Sequence, residues 1–210
     1  MRTLNRECIC TILDAMRTSR LEAFSDGVFA IAITLLVLGI QIPDVPYAQL
    51  PAVMLELIPK LATYVLSFAL IGMYWAFHHV YFDRVKQING TMLFVNLLLL
   101  LLISFMPFPT ALIGRYPLQP WPIVLYGLNL IGANMTGLAM VLYLRNHQEF
   151  LQETWTDDFV KDQLRVYAFV NIPYALALVT AFWLPTLSYA IFFVILIGVS
   201  ISLWKRLNHK

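Results

Sequence analysis

The sequence predicts an all-α membrane protein. Three observations carry that expectation: 60% of the 210 residues are apolar, only 12% are charged, and the apolar residues gather in stretches of about 20, the length that crosses hydrocarbon as a helix. Soluble domains average about 25% charged residues, so the composition argues against a water-soluble fold. Six crossings with short connections use nearly the whole length, which leaves no room for a large extramembrane enzyme domain.

The stretches run from Leu21 to Ile40, Leu61 to Val80, Met92 to Ala111, Pro122 to Leu144, Leu164 to Leu184 and Leu187 to Trp204. Turn-forming residues punctuate the gaps: Pro43 and Pro46, Asn89-Gly90, then Pro117, Pro120 and Pro122, and finally Pro185. The polar connection from Arg145 to Gln163 is the longest on its side and suits a surface helix. Pro107, Pro109 and Pro173 are positioned to kink the third and fifth spans or to end a helix. This divides the chain into an N-terminal arm of residues 1–19, a six-helix transmembrane domain of residues 20–204 and a short tail of residues 205–210.

The basic residues give an independent test, because Lys and Arg accumulate on the cytoplasmic side of span ends. Of the 14 Lys and Arg, all but Lys60 and Arg115 fall in the N-terminal arm, the second and fourth connections or the tail. Both termini are therefore expected in the cytoplasm, with the protein in the cell (plasma) membrane and lipid as its surroundings. A net charge of +2, with no basic cluster, gives no reason to expect nucleic acid as a partner. Cys8 and Cys10 supply too few ligands for a closed metal site, so no metal is expected, nor is there an H-E-x-x-H or G-x-S-x-G segment that would suggest a catalytic residue.

An ionisable or strongly polar group within a span is a functional candidate, since its burial is costly unless it is paired or hydrated. Ser25 and Asp26 lie just inside the first span, Trp75, His78 and His79 close the second, and Asn96 opens the third. All are near the cytoplasmic ends of consecutive helices and complement one another as donors and acceptors. An interhelical polar network is one reading; Asp26 as a helix cap and a proton-sensing or gating role are the others. At about 100° per residue, Gly27, Ile31, Thr34, Leu35 and Leu38 share one sector of the first span, with Asp26 roughly opposed. Lipid contact or ordinary packing explains such a face equally well from the pattern by itself.

The run Arg20-Leu21-Glu22-Ala23-Phe24-Ser25-Asp26-Gly27, followed by Ala30-Ile31 and Thr34-Leu35, resembles the R-x-x-x-F-S-D signature of the lysosomal potassium channel family, in its prokaryotic single-repeat form. The resemblance directly covers about 20 residues; the six-span length, His78, His79 and Asn96 extend it. It implies a homotetramer whose first helices line a central pore, with no cofactor and potassium as the permeating ion. Ile31, Leu35 and Leu38 would then form apolar rings and Thr34 a hydroxyl ring, since apolar constrictions gate by expelling water. Arg20, Phe24, Ser25, Asp26, Trp75, His78, His79 and Asn96 would form the structural polar network. The implied activity is a potassium-preferring cation leak. The rival is a small six-span secondary transporter for a cation or proton-coupled solute, kept open by Asn129, Asn134 and Asn171.

Overall fold

The structure, a computed structural model, describes residues 18–41 and 43–208, with side chains as far as residue 201. Cys8, Cys10, most of the N-terminal basic residues, Lys210 and the side chain of Trp204 lie outside the described residues. In chain order the helices are α1 (Thr18–Leu35), α2 (Leu50–Glu56), α3 (Ile58–Phe82), α4 (Gly90–Phe105), α5 (Pro107–Arg115), α6 (Pro120–Asn146), α7 (Asp157–Thr180) and α8 (Pro185–Asn208). Short 3₁₀ turns follow α1 (Leu36–Gly39), precede α2 (Tyr47–Gln49) and follow α6 (Gln148–Phe150). Four helical stretches, Thr18–Gly39, Ile58–Phe82, Gly90–Arg115 and Pro120–Asn146, are each long and apolar enough to cross a membrane.

The helix boundaries depart from the sequence expectation at identifiable places. The third span is two helices: Pro107 has no N–H to donate and opens α5 as its first residue, leaving Met106 at the joint. The first connection contains α2, a helix too short to show clear periodicity. Residues Arg145 to Gln163 hold one separate 3₁₀ turn, Gln148–Phe150, and the first turns of α7, which begins at Asp157, where the Thr156 hydroxyl accepts the Phe159 N–H at 3.2 Å. Asp157 and Asp158 then sit in its first turn, where negative charge opposes the positive helix end. Among the described residues α1 includes Thr18 and α8 includes Asn208.

Asn89 does more than mark a turn. Its side-chain oxygen accepts the Met92 N–H at 3.0 Å, satisfying a donor that the start of α4 leaves open. Asn89→Ala is expected to remove about 1 kcal/mol of stability, seen as a lower thermal midpoint in detergent; an unchanged midpoint would show that this cap contributes nothing.

Two apolar cores divide the molecule. The larger joins α1 to α3, α4, α6, α7 and α8 through residues such as Phe29, Leu70, Ile103, Tyr126, Tyr174 and Phe192. The smaller closes one end, with Leu21, Phe82, Val85, Met92, Leu144, Leu151 and Trp155. At that end the connection after α3 pairs with the connection after α6. Val85 and Leu151 form an antiparallel bridge, with Lys86 N donating to Phe150 O and Gln152 N to Arg84 O, both at 2.9 Å. The Thr18 hydroxyl donates to Lys86 O at 3.4 Å, so the start of α1 meets the same two connections. Apolar tryptophans mark the other end: Trp121 and Trp183 are both well exposed.

Candidate functional site

α1 has one buried face and one bare face. Leu21, Ser25, Phe29 and Ala32 are its buried residues, and Leu36 continues them into the 3₁₀ turn. The opposite stripe touches little of the subunit: Ile31 is 60% exposed, Leu35 43% and Leu38 67%, and a Cβ placed on Gly27 would meet nothing within 4 Å. Leu38 lies in the 3₁₀ turn, so the 100° spacing does not set its direction, yet it still faces outward. The Thr34 hydroxyl donates back to its own helix, with Ile31 O at 2.9 Å and Ala30 O at 3.1 Å. Its hydrogen is thus occupied, and its oxygen lone pairs are what the bare face presents.

The buried face carries a directed chain of hydrogen bonds. His78 Nε2 and Asn96 Oδ1 are 2.8 Å apart; an amide oxygen only accepts, so the imidazole donates and carries its proton on Nε2. Asn96 Nδ2 donates to Ser25 Oγ at 3.1 Å, and Ser25 Oγ donates to Leu21 O at 2.8 Å. Ser25, Asn96 and His78 are all buried. The His78 ring also stacks on Phe82 with centroids 4.2 Å apart and lies tilted against Phe29 at 5.6 Å. One residue each from α1, α3 and α4 is therefore locked together inside the protein.

A second contact holds the same helix from its exposed flank. The Trp75 indole N–H donates to Asp26 Oδ1 at 2.8 Å, and the His79 ring stacks on Trp75 with centroids 6.0 Å apart. Asp26 is more than two turns inside α1, so it does not cap that helix. His78 and His79 point to different environments, as neighbours on one helix must: His78 enters the buried chain, whereas His79 faces Asp83 at 3.8 Å, both largely exposed. Among the described residues no group of three His, Cys, Asp or Glu converges on a metal-sized point.

Arg20 and Phe24 depart from the grouping drawn from the sequence. Both are exposed, and among the described residues neither hydrogen-bonds to the Ser25–Asn96–His78 cluster. Their spacing explains this: residues 20, 24, 27, 31 and 34 follow the helical repeat, which puts Arg20 and Phe24 on the bare stripe. The asparagines that kept a transporter reading open also have identifiable partners. Asn129 Nδ2 donates to Leu102 O at 3.0 Å, Asn171 Nδ2 to Tyr167 O at 2.8 Å, and Asn134 Oδ1 accepts from the Tyr74 hydroxyl at 3.0 Å. A further buried relay escaped sequence reasoning: Thr110 donates to Ser67 at 2.9 Å, and Ser67 lies 3.0 Å from the Tyr126 hydroxyl. Single hydroxyls in apolar helices give no signal of this kind.

Fold and site together define a helical membrane protein whose first helix is anchored along one face and bare along the other. Residues 20–107 match the family described as the endosomal/lysosomal potassium channel TMEM175. A potassium channel of Chryseobacterium sp. (strain P1-3) is 32% identical over 186 residues, covering 86% of this chain and 91% of the relative. A potassium channel of Chamaesiphon minutus is 46% identical over 106 residues, about half of either chain (49% and 52%). The crystal structure of a lysosomal potassium-selective channel TMEM175 homolog from Chamaesiphon minutus superposes with a TM-score of 0.78 at 31% identity, covering 89% of this chain and 97% of that one. The chain belongs to the TMEM175 family, a family of channels rather than enzymes.

Proposed function

We propose that four copies of this chain assemble in the cell membrane as a potassium-preferring cation leak channel, with both termini cytoplasmic and α1 of each subunit lining the pore. The observation that carries this reading is the bare stripe on a helix whose opposite face is buried and hydrogen-bonded. A subunit that holds a helix so firmly while leaving Gly27, Ile31, Thr34, Leu35 and Leu38 uncovered suits a wall facing an axis. The bacterial relatives named as potassium channels support potassium as the ion, whereas the vertebrate relatives are named proton channels.

Six spans per subunit fit the remaining helices. The charges of α7 are confined to Asp157, Asp158, Lys161, Asp162 and Arg165, and its continuation to Thr180 is uncharged. α8 has 24 residues, about 36 Å of helix at 1.5 Å per residue. The meeting of the start of α1 with the connections after α3 and α6 supports an even number of crossings between them, and their basic residues support the cytoplasmic side.

In this assembly Ile31, Leu35 and Leu38 make stacked apolar rings that exclude water when narrow. Isoleucine cannot replace an ion's hydration shell as carbonyl oxygens do. Preference for potassium therefore rests on its cheaper dehydration relative to sodium at a narrow neck, helped by the outward lone pairs of Thr34, and discrimination is modest. Liposomes containing the purified chain should take up potassium faster than sodium under equal gradients. Absence of potassium flux with correctly inserted protein, or saturable exchange tied to a second ion, would overturn the proposal in favour of the transporter.

A further inference from the structure

α1 stands between α3 and α4, and its two tethers show which helix lies on which side. Asp26 reaches Trp75 of α3 and Ser25 reaches Asn96 of α4, adjacent positions that point about 100° apart. Each flanking helix carries an exposed apolar stripe of its own. On α3 it runs through Val65, Phe68 and Trp75, and between the last two stands Gly72, where a Cβ would meet nothing within 4 Å. The spacing of three or four residues puts all four on one side of the helix, so the glycine is a notch between two aromatic side chains. On the other flank Phe94, Leu101, Phe105 and Phe108 continue from α4 into α5.

The two stripes match in level. The His78–Asn96 hydrogen bond sets the antiparallel helices in register. At 1.5 Å per residue, Gly72 lies about 9 Å before His78 and Leu101 about 7.5 Å beyond Asn96, while Phe68 and Phe105 lie about 15 Å and about 13.5 Å away in the same sense. Rotation about an axis along the membrane normal keeps every residue at its level. Copies that turn α1 towards such an axis therefore bring the α3 side of one against the α4 side of the next, the heterologous contact that closes a ring. Leu101, 62% exposed, arrives opposite the notch. Small residues let membrane helices approach closely, and the α3 stripe adjoins the Asp26 carboxylate, which hydrocarbon serves poorly.

We propose that the α3 stripe is the docking surface for the α4–α5 stripe of a second copy of this chain, with Leu101 of the partner subunit seated in the Gly72 notch. This rests on the assembly proposed above and says which faces of it meet.

The test is made on the full chain with Cys8→Ser and Cys10→Ser, which remove its two cysteines. Gly72→Cys on chains with one tag and Leu101→Cys on chains with another are expressed together and oxidised in the membrane with copper phenanthroline. Covalent dimers bearing both tags are expected, since a seated side chain brings the Cα atoms within the roughly 7 Å that a disulfide spans. Either variant by itself should give none. Joining of Gly72→Cys to itself would show like faces meeting and overturn the proposal. So would equal joining of Leu101→Cys to Ile172→Cys, an exposed position on α7, which would mark random collision. Gly72→Leu has room in its own subunit and should weaken association about tenfold, the scale of one overpacked contact, with Leu101→Ala in the same chain restoring part of it. Unchanged association of Gly72→Leu on gel filtration would overturn the seating of Leu101. A chain that forms tetramers and passes potassium without the mixed cross-link would overturn this docking alone, whereas a monomeric chain would overturn the assembly and the docking together.

Discussion

Ile31→Asn is expected to raise potassium flux by about tenfold, equivalent to lowering the barrier by about 1.4 kcal/mol, and to bring the sodium rate towards the potassium rate. The isoleucine is 60% exposed on the bare stripe, so the substitution leaves the packing of its own subunit nearly untouched. In the proposed tetramer, four amides at one level hold water where four sec-butyl groups expel it. Wetting removes both the dry barrier and the dehydration that distinguishes the two ions, so current and selectivity must change together. Flux assays in liposomes check both quantities. A flux that rises with selectivity intact would place the neck at Leu35 or Leu38, and no change in either would remove Ile31 from the pathway.

Asn96→Ala is expected to lower the stability of the assembly more than Asp26→Ala does, while leaving the ratio of potassium to sodium flux intact. The difference follows from burial. Loss of Asn96 leaves the His78 Nε2–H without a partner at a position 6% exposed, and hydrogen bonds between membrane helices are worth roughly 0.6 kcal/mol, up to about 1.7 kcal/mol. Ser25 suffers less, because it retains its own bond to Leu21 O. Asp26 and Trp75 are exposed, so each regains solvent or headgroup partners when the other is removed. Thermal retention of the oligomer on gel filtration orders the two variants. An equal or larger loss from Asp26→Ala would show that the exposed contact, not the buried chain, fixes α1.

Length and apolar clustering carry the placement of the four stretches long and apolar enough to cross a membrane, because hydrocarbon imposes a fixed length and a fixed hydrogen-bonding demand on any segment that crosses it. The stripe on α1 was equally legible, since one residue in three or four repeats by geometry. What the helical repeat could not carry is every place where it stops. The 3₁₀ turn at Leu36–Gly39, the joint at Met106, the short α2 and the bridge between Val85 and Leu151 depend on contacts between segments distant in the chain. Arg20 and Phe24 were grouped with Ser25 and Asp26 through adjacency in a motif; direction on the helix separates them. Of the two histidines, selecting His78 for the buried chain required knowing that Asn96 faced it.

The 3₁₀ turn that follows α1 is anchored as well as the helix itself. Gly39 packs so close to α5 that a Cβ would stand 3.3 Å from that of Ala111, while Ser25 and Asp26 are tethered near the other end. Between those points lie all the residues assigned to the rings. A strut clamped at both ends cannot slide along its axis or turn about it by itself. Any widening of the proposed pore therefore has to come from tilting whole subunits or bowing the strut between its clamps. Cross-links placed within a subunit between α1 and α3 would leave such a channel working, whereas cross-links between neighbouring subunits would lock it.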